Sequence, residues 1–159
     1  MMRALVDSNV LLDFLATREP FFEVARELLV FAAAGDYELW MSPSQVTDLF
    51  YVLSGGGRAV RAPAAREALL GLRRVVHVCP LGEGEVDRAL ESGWDDFEDS
   101  LVHQAAVAVG ARAIITRNVR DFGRSSVPAL PPDEFRMWAR RCAHVEYDGE
   151  QGAEASGPE

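Results

Sequence analysis

The 159-residue chain contains no lysine; all 16 of its basic residues are arginines. That absence excludes whole chemistries. A Walker-type phosphate loop needs its Lys, and Schiff-base catalysis needs an amine. Cysteine is nearly absent too. Cys79 and Cys142 are the only two; they cannot build a disulfide framework, and they lack zinc-ligand spacing. We expect ordinary thiols in a reduced cytosol. No apolar run reaches the length of a membrane-spanning helix. The N-terminus carries no signal-peptide pattern, because Asp7 interrupts the apolar stretch almost at once. The expectation is a cytoplasmic protein with no membrane contact.

What is present is the composition of one globular domain, 48% hydrophobic and 26% charged, long enough to bury a real core. The net charge of -9 is the wrong sign for a nucleic-acid binder. Two points soften that objection. Residues Glu146 to Glu159 are acidic, Gly/Ala-rich and poor in apolar residues, so we place a globular domain over 1–141 and an acidic, disordered tail over 142–159. Also, a site built from carboxylates is locally acidic and is neutralised when a cation binds.

Arg3 to Asp7 reads as a buried strand ending on a carboxylate. Val10 to Leu15 then start a helix, with Asn9 as the expected N-cap. Pro20 to Ala34 has helical spacing and ends at Gly35. Tyr37 to Met41 is a strand, and Ser42-Pro43 opens a helix through Leu53, with Ser42 as N-cap. Gly55-Gly56-Gly57 reads as a loop. Pro63 to Arg74 is an amphipathic helix, Val75 to Cys79 a strand, and Glu83 to Leu90 a helix. Glu98 to Val109 is helical, Ala111 to Thr116 a fully apolar strand, and Arg117 to Gly123 a loop or single helical turn. Val127 to Leu130 is an edge strand, where Pro is tolerated. Pro132 to Arg141 forms a last helix. The alternation predicts an α/β/α sandwich with a mostly parallel sheet of four to five strands.

That topology gathers acids. A helix that follows or precedes a parallel strand starts at the strand's carboxyl edge, where ligands bind in such sheets. Asp7, Asp48, Asp99 and Asp121 therefore share one rim with Asn118. Clustered carboxylates stay ionised together only with positive charge among them. Oxygen-only donors favour a hard cation, Mg²⁺ or Mn²⁺, and such a site suits phosphodiester hydrolysis.

Four stretches in order, Val6-Asp7-Ser8-Asn9-Val10-Leu11-Leu12-Asp13, Ser42 to Leu49, Asp96-Phe97-Glu98-Asp99-Ser100-Leu101 and Ile115 to Phe122, resemble the PIN-domain ribonucleases. That family contains the VapC-like toxin halves of many type II toxin–antitoxin pairs. The resemblance covers roughly residues 3 to 138. It implies a metal-dependent endoribonuclease carrying Asp7, Asp48, Asp99 and Asp121, with Asp7, Asp99 and Asp121 on the metal. Ser8, Thr116, Asn118 and Asp96 would support them. Asp48 stands where the family usually has Glu and is one methylene shorter; Asn118 fits a position that is Asp or Asn. The implied partners are RNA, a cognate antitoxin and a second copy in a homodimer.

Arg117, Arg120 and Arg124 flank the proposed site and are the candidates for holding RNA; Arg58, Arg61, Arg66, Arg73 and Arg74 sit on or near the fourth helix. Asp13 reads as a structural hydrogen bond or salt bridge. Asp96 reads as a helix cap as well as a site residue. His103, one turn after Asp99, reads as a helix-face histidine rather than a general acid or base, and Trp40, Trp94 and Trp138 as core or interface. The alternative to the nuclease is a catalytically weak or inactive PIN-fold RNA- or protein-binding module, which Asp48, Asn118 and the net charge favour. A haloacid-dehalogenase-type phosphatase expects a second Asp where this chain has Asn9, and normally a basic residue, usually Lys.

Overall fold

Among the described residues five short strands form a single sheet: β1 (Arg3–Val6), β2 (Glu38–Met41), β3 (Val76–Val78), β4 (Ala113–Ile115) and β5 (Ala129–Leu130), in the order β3-β2-β1-β4-β5. The computed structural model describes the backbone of residues 1–151 and side chains through Cys142. Every pairing is parallel, so the sheet expected to be mostly parallel is wholly so. Among the described residues seven α-helices lie between and after the strands: α1 (Ser8–Leu15), α2 (Phe22–Ala34), α3 (Pro43–Leu53), α4 (Ala62–Leu72), α5 (Glu83–Glu91), α6 (Phe97–Ala108) and α7 (Pro132–Gln151).

The two-residue period of the strands divides the core in two. Leu5 of β1 and Ile114 of β4 face one side, where they pack with Val102, Ala105 and Ala106 of α6. Their neighbours Ala4, Val6, Ala113 and Ile115 face the other side, against Leu11, Leu28, Leu49, Leu69 and Phe135 of α1, α2, α3, α4 and α7. Both faces of the central strands are thus buried, the expected α/β/α sandwich. This is why β4 reads as an unbroken apolar run. Burying each Leu or Ile contributes about 1.5–3 kcal/mol.

Local signals set the helix ends. Ser42 caps α3 in a reciprocal box with Gln45 and with Pro43 in the first turn. Gly35 closes α2 at φ 92°, a left-handed conformation that favours glycine. Two boundaries differ from the sequence reading. The cap of α1 is Asp7, at φ -71° and ψ 151°, because the helix begins directly after the strand; Asn9 is already inside the first turn. The last helix runs on past Arg141 to Gln151, since neither Gly nor Pro occurs between Pro132 and Gly149 to stop it. It takes in the first part of the segment expected as a tail; residues 152–159 of that segment lie outside the described residues.

The strand order places the site. The chain moves from β1 to β2 to β3 in one direction, then returns to lay β4 on the opposite side of β1. The connections leaving β1 and β4 diverge there, opening a crevice at their carboxyl ends. Asp7 and Thr116, each the first residue past its strand, meet in that crevice. Among the described residues no helix is long and apolar enough to cross a membrane.

Candidate metal centre

Asp7 is the fixed point of the rim. Its side chain is 8% exposed, and both carboxyl oxygens are engaged. The backbone N–H of Ser8 donates to Oδ1 at 2.7 Å, and the Thr116 hydroxyl donates to Oδ2 at 2.8 Å. Thr116, fully buried, in turn accepts the Asn118 N–H at 2.9 Å. Burial pushes the Asp7 carboxyl above the usual range; the Thr116 and Ser8 bonds pull it back, while the charge of Asp121 raises it. Ser8 therefore supports Asp7 through its backbone. Its hydroxyl instead accepts from Gln45 Nε2 at 3.3 Å.

Gln45 went unnoticed in the sequence. It is fully buried and ties the end of β1 to the start of α3, donating to the Val6 carbonyl at 2.8 Å and accepting from the Ser42 N–H at 2.8 Å. The Ser-x-x-Gln spacing after β2 was the available signal.

The second group of acids arrives on α3 and α6. Asp48 lies half-buried on α3. Glu98, a residue the sequence reading passed over, lies close to it. The Glu98 carboxyl is pushed up to about 7, first by burial, then by the neighbouring Asp48 carboxyl, then by Asp96 and Asp7. Asp99 next to it is also pushed up to about 7, by burial and by the charges of Asp96, Asp7 and Asp121. Asp96 caps α6, accepting the Asp99 N–H at 3.0 Å. Asp121 is exposed on the 3-10 turn Val119–Phe122 that follows β4, and Asn118 precedes that turn. Asp96, Asp99 and Asp121 line one cleft of about 240 Å³, together with Trp94, Asp95, Arg120, Gly123 and Arg124. Among the described residues no three acid, imidazole or thiol groups already stand as a closed metal-ligand set.

The three arginines read as RNA contacts have different surroundings. Arg117 makes a two-pronged ion pair with buried Asp13, at 2.7 Å from Nε and 3.2 Å from Nη2, and stacks over Phe21 at 4.1 Å. The salt bridge expected of Asp13 is this one. Arg124 donates to the carbonyls of Gly93 and Ser92 at 2.7 and 3.1 Å. Arg120 is exposed at the cleft. His103 points at Ser126, with Nε2 3.1 Å from its hydroxyl and accepting its N–H at 3.3 Å. Burial lowers its pKa, and it stands on the face of α6, as expected of a helix-face histidine.

The PIN domain family model matches residues 3–120, and the chain belongs to that family. It is 26% identical over 141 residues to ribonuclease VapC1 of Aquifex aeolicus (strain VF5), covering 84% of this chain and 92% of that protein. Two solved structures share the fold. One is VapBC2 from Rickettsia felis bound to a promoter DNA fragment, with a TM-score of 0.61 at 15% identity over 82% of this chain and 98% of that one. The other is DNA-bound VapBC from Salmonella typhimurium, with a TM-score of 0.62 at 16% identity over 83% and 99%.

Proposed function

We propose that this protein is a metal-dependent endoribonuclease of the toxin type, hydrolysing RNA phosphodiester bonds. The observation that carries this reading is the convergence of Asp7, Asp48, Glu98, Asp99 and Asp121 from separate segments onto one rim, close enough that the charges of their neighbours help to raise the carboxyls of Asp7, Glu98 and Asp99. An acid cluster of this kind is stable in its ionised form only beside a cation. Its donors are all oxygen, which fits Mg²⁺ or Mn²⁺. Asp7, Asp99 and Asp121 would hold the ion, with Asp48 and Glu98 beside them. Bound there, it would polarise a phosphoryl oxygen and acidify a water.

The protein's own groups do the rest. Ser8 and Thr116 aim the Asp7 carboxylate, and Asp96 fixes the first turn of α6 so that Asp99 faces the cleft. Arg120 supplies positive charge for a phosphate at the cleft. The partners this reading implies are RNA, a cognate antitoxin and a second copy of the chain; VapBC2 and VapBC, the fold neighbours, were solved bound to DNA. The cytoplasm is the compartment it implies.

The test is hydrolysis of single-stranded RNA and tRNA by the Mn²⁺- or Mg²⁺-loaded protein. We expect cleavage that chelation stops and that Asp7→Asn abolishes. A metal-loaded preparation that leaves both RNAs intact, indistinguishable from Asp7→Asn, sinks the nuclease. The net charge of -9 and the shortened Asp48 would then favour a binding module.

A further inference from the structure

We propose that Trp94 is a stacking platform for an unpaired nucleobase beside the scissile phosphate. This rests on the nuclease reading of the same cleft. Trp94 stands in the turn before α6 and lines the cleft with Asp96, Asp99, Arg120 and Asp121. Trp94 is half-buried: it packs against the core cluster that includes Val102 and Phe122 and also lines the acid cleft, where a cation alone has no use for an indole.

The ring is held from behind. His103 stacks on it at 5.1 Å with 17° between the planes, and Phe122 meets it edge-on at 6.1 Å and 70°. His103 is itself pinned by Ser126. The backbone under the indole is also fixed. Arg124 grips the carbonyls of Ser92 and Gly93, and the Trp94 N–H donates to Ser92 Oγ at 3.3 Å. Gly93 makes the turn at φ 68°, which a residue with a side chain adopts only with strain. An aromatic surface locked this firmly before a ligand arrives loses little entropy on binding. The residue also lines the acid cleft, beside the positive charge of Arg120. Aromatic stacking accepts any base but requires that base to be unpaired. The other two tryptophans sit elsewhere, Trp40 against His77 and Trp138 against Phe135.

The test uses the full chain in Mn²⁺ and a short, labelled, single-stranded RNA with phosphorothioate linkages, which resists hydrolysis. A parallel set carries one abasic position at a time. Trp94→Leu is expected to weaken binding roughly 5- to 100-fold, and Trp94→Phe to restore most of it. In the parent chain one abasic position should cost a similar factor, and Trp94→Leu should be indifferent to that position. A Leu variant that binds as tightly as the parent overturns the platform, as does equal loss at every abasic position. Should Trp94→Leu melt early, the Phe variant and the abasic set in the parent decide the matter alone. A parent that cuts RNA while failing these tests refutes the platform and leaves the nuclease standing. A parent that neither binds nor cuts RNA removes both.

Discussion

Replacing Thr116 with Val keeps the shape of the buried side chain and removes its hydroxyl. That hydroxyl donates to Asp7 Oδ2 at 2.8 Å and accepts from the Asn118 N–H at 2.9 Å. The first bond is to a carboxyl group that is itself buried, and losing such a bond costs about 1.5–3 kcal/mol. The second is worth less, because Asn118 is exposed and its amide can turn to water. A total of about 2–3 kcal/mol corresponds to a fall in Tm of about 5–10 °C for a domain of this size. The same bond aims Asp7, so Mn²⁺ affinity should drop about 10- to 100-fold, the usual effect of removing a group that orients a ligand. Thermal melting in EDTA reads the first effect, and calorimetric titration with Mn²⁺ reads the second. Thr116→Ser keeps the hydroxyl and should keep most of the affinity. If Thr116→Val melts and binds metal like the parent, Asp7 is not positioned by Thr116 and the account of the crevice is wrong.

Asp13→Ala should cost about 2–4 kcal/mol, the low side of the range for a broken buried pair, because Arg117 is partly in water. The double variant Asp13→Ala with Arg117→Met should recover part of that loss in a melting experiment; equal losses would mean the pair matters only for packing. The carboxyls of Glu98 and Asp99, both raised to about 7, bind more protons in the folded than in the unfolded chain between about pH 4 and 7. Metal-free stability should therefore fall as pH rises through that window, and the gain in Tm from Mg²⁺ should grow from about pH 5 to pH 8. A Mg²⁺ effect that is independent of pH would contradict the like-charge cluster.

The strands and the four aspartates were legible in the sequence for the same reason. A run such as Ala113-Ile114-Ile115 is apolar on both faces only in a covered parallel sheet, and a parallel sheet sends every strand end to one edge. Capping signals were legible where the motif is local, as in Ser42-Pro43, although the Gln45 half of that box was missed. Other features were hidden because their cause is distant. Nothing near Arg117 announces that its guanidinium will be claimed by Asp13, 104 residues earlier. Arg124 is claimed likewise by backbone carbonyls 31 and 32 residues before it. Glu98 was passed over because its neighbour Asp99 matched a motif. Adjacent residues on a helix diverge by about 100°, and only the position of α3 brings Asp48 to meet the one on the other side.

The contact between Asp7 and Thr116 spans 109 residues. It lies between the first strand made and the fourth, so a chain emerging from the ribosome holds Asp7 with no Thr116 to orient it until most of the protein has been synthesised. Closing so long a loop comes late and as part of the whole fold rather than of any fragment. A product truncated between α6 and β4 would carry Asp7 and the acids of α3 and α6 without the crevice that brings them together, and a shorter one would lack some of those acids as well. An incomplete copy lacks the Thr116 hydroxyl that holds Asp7, so the geometry of the rim belongs only to a chain that has reached β4.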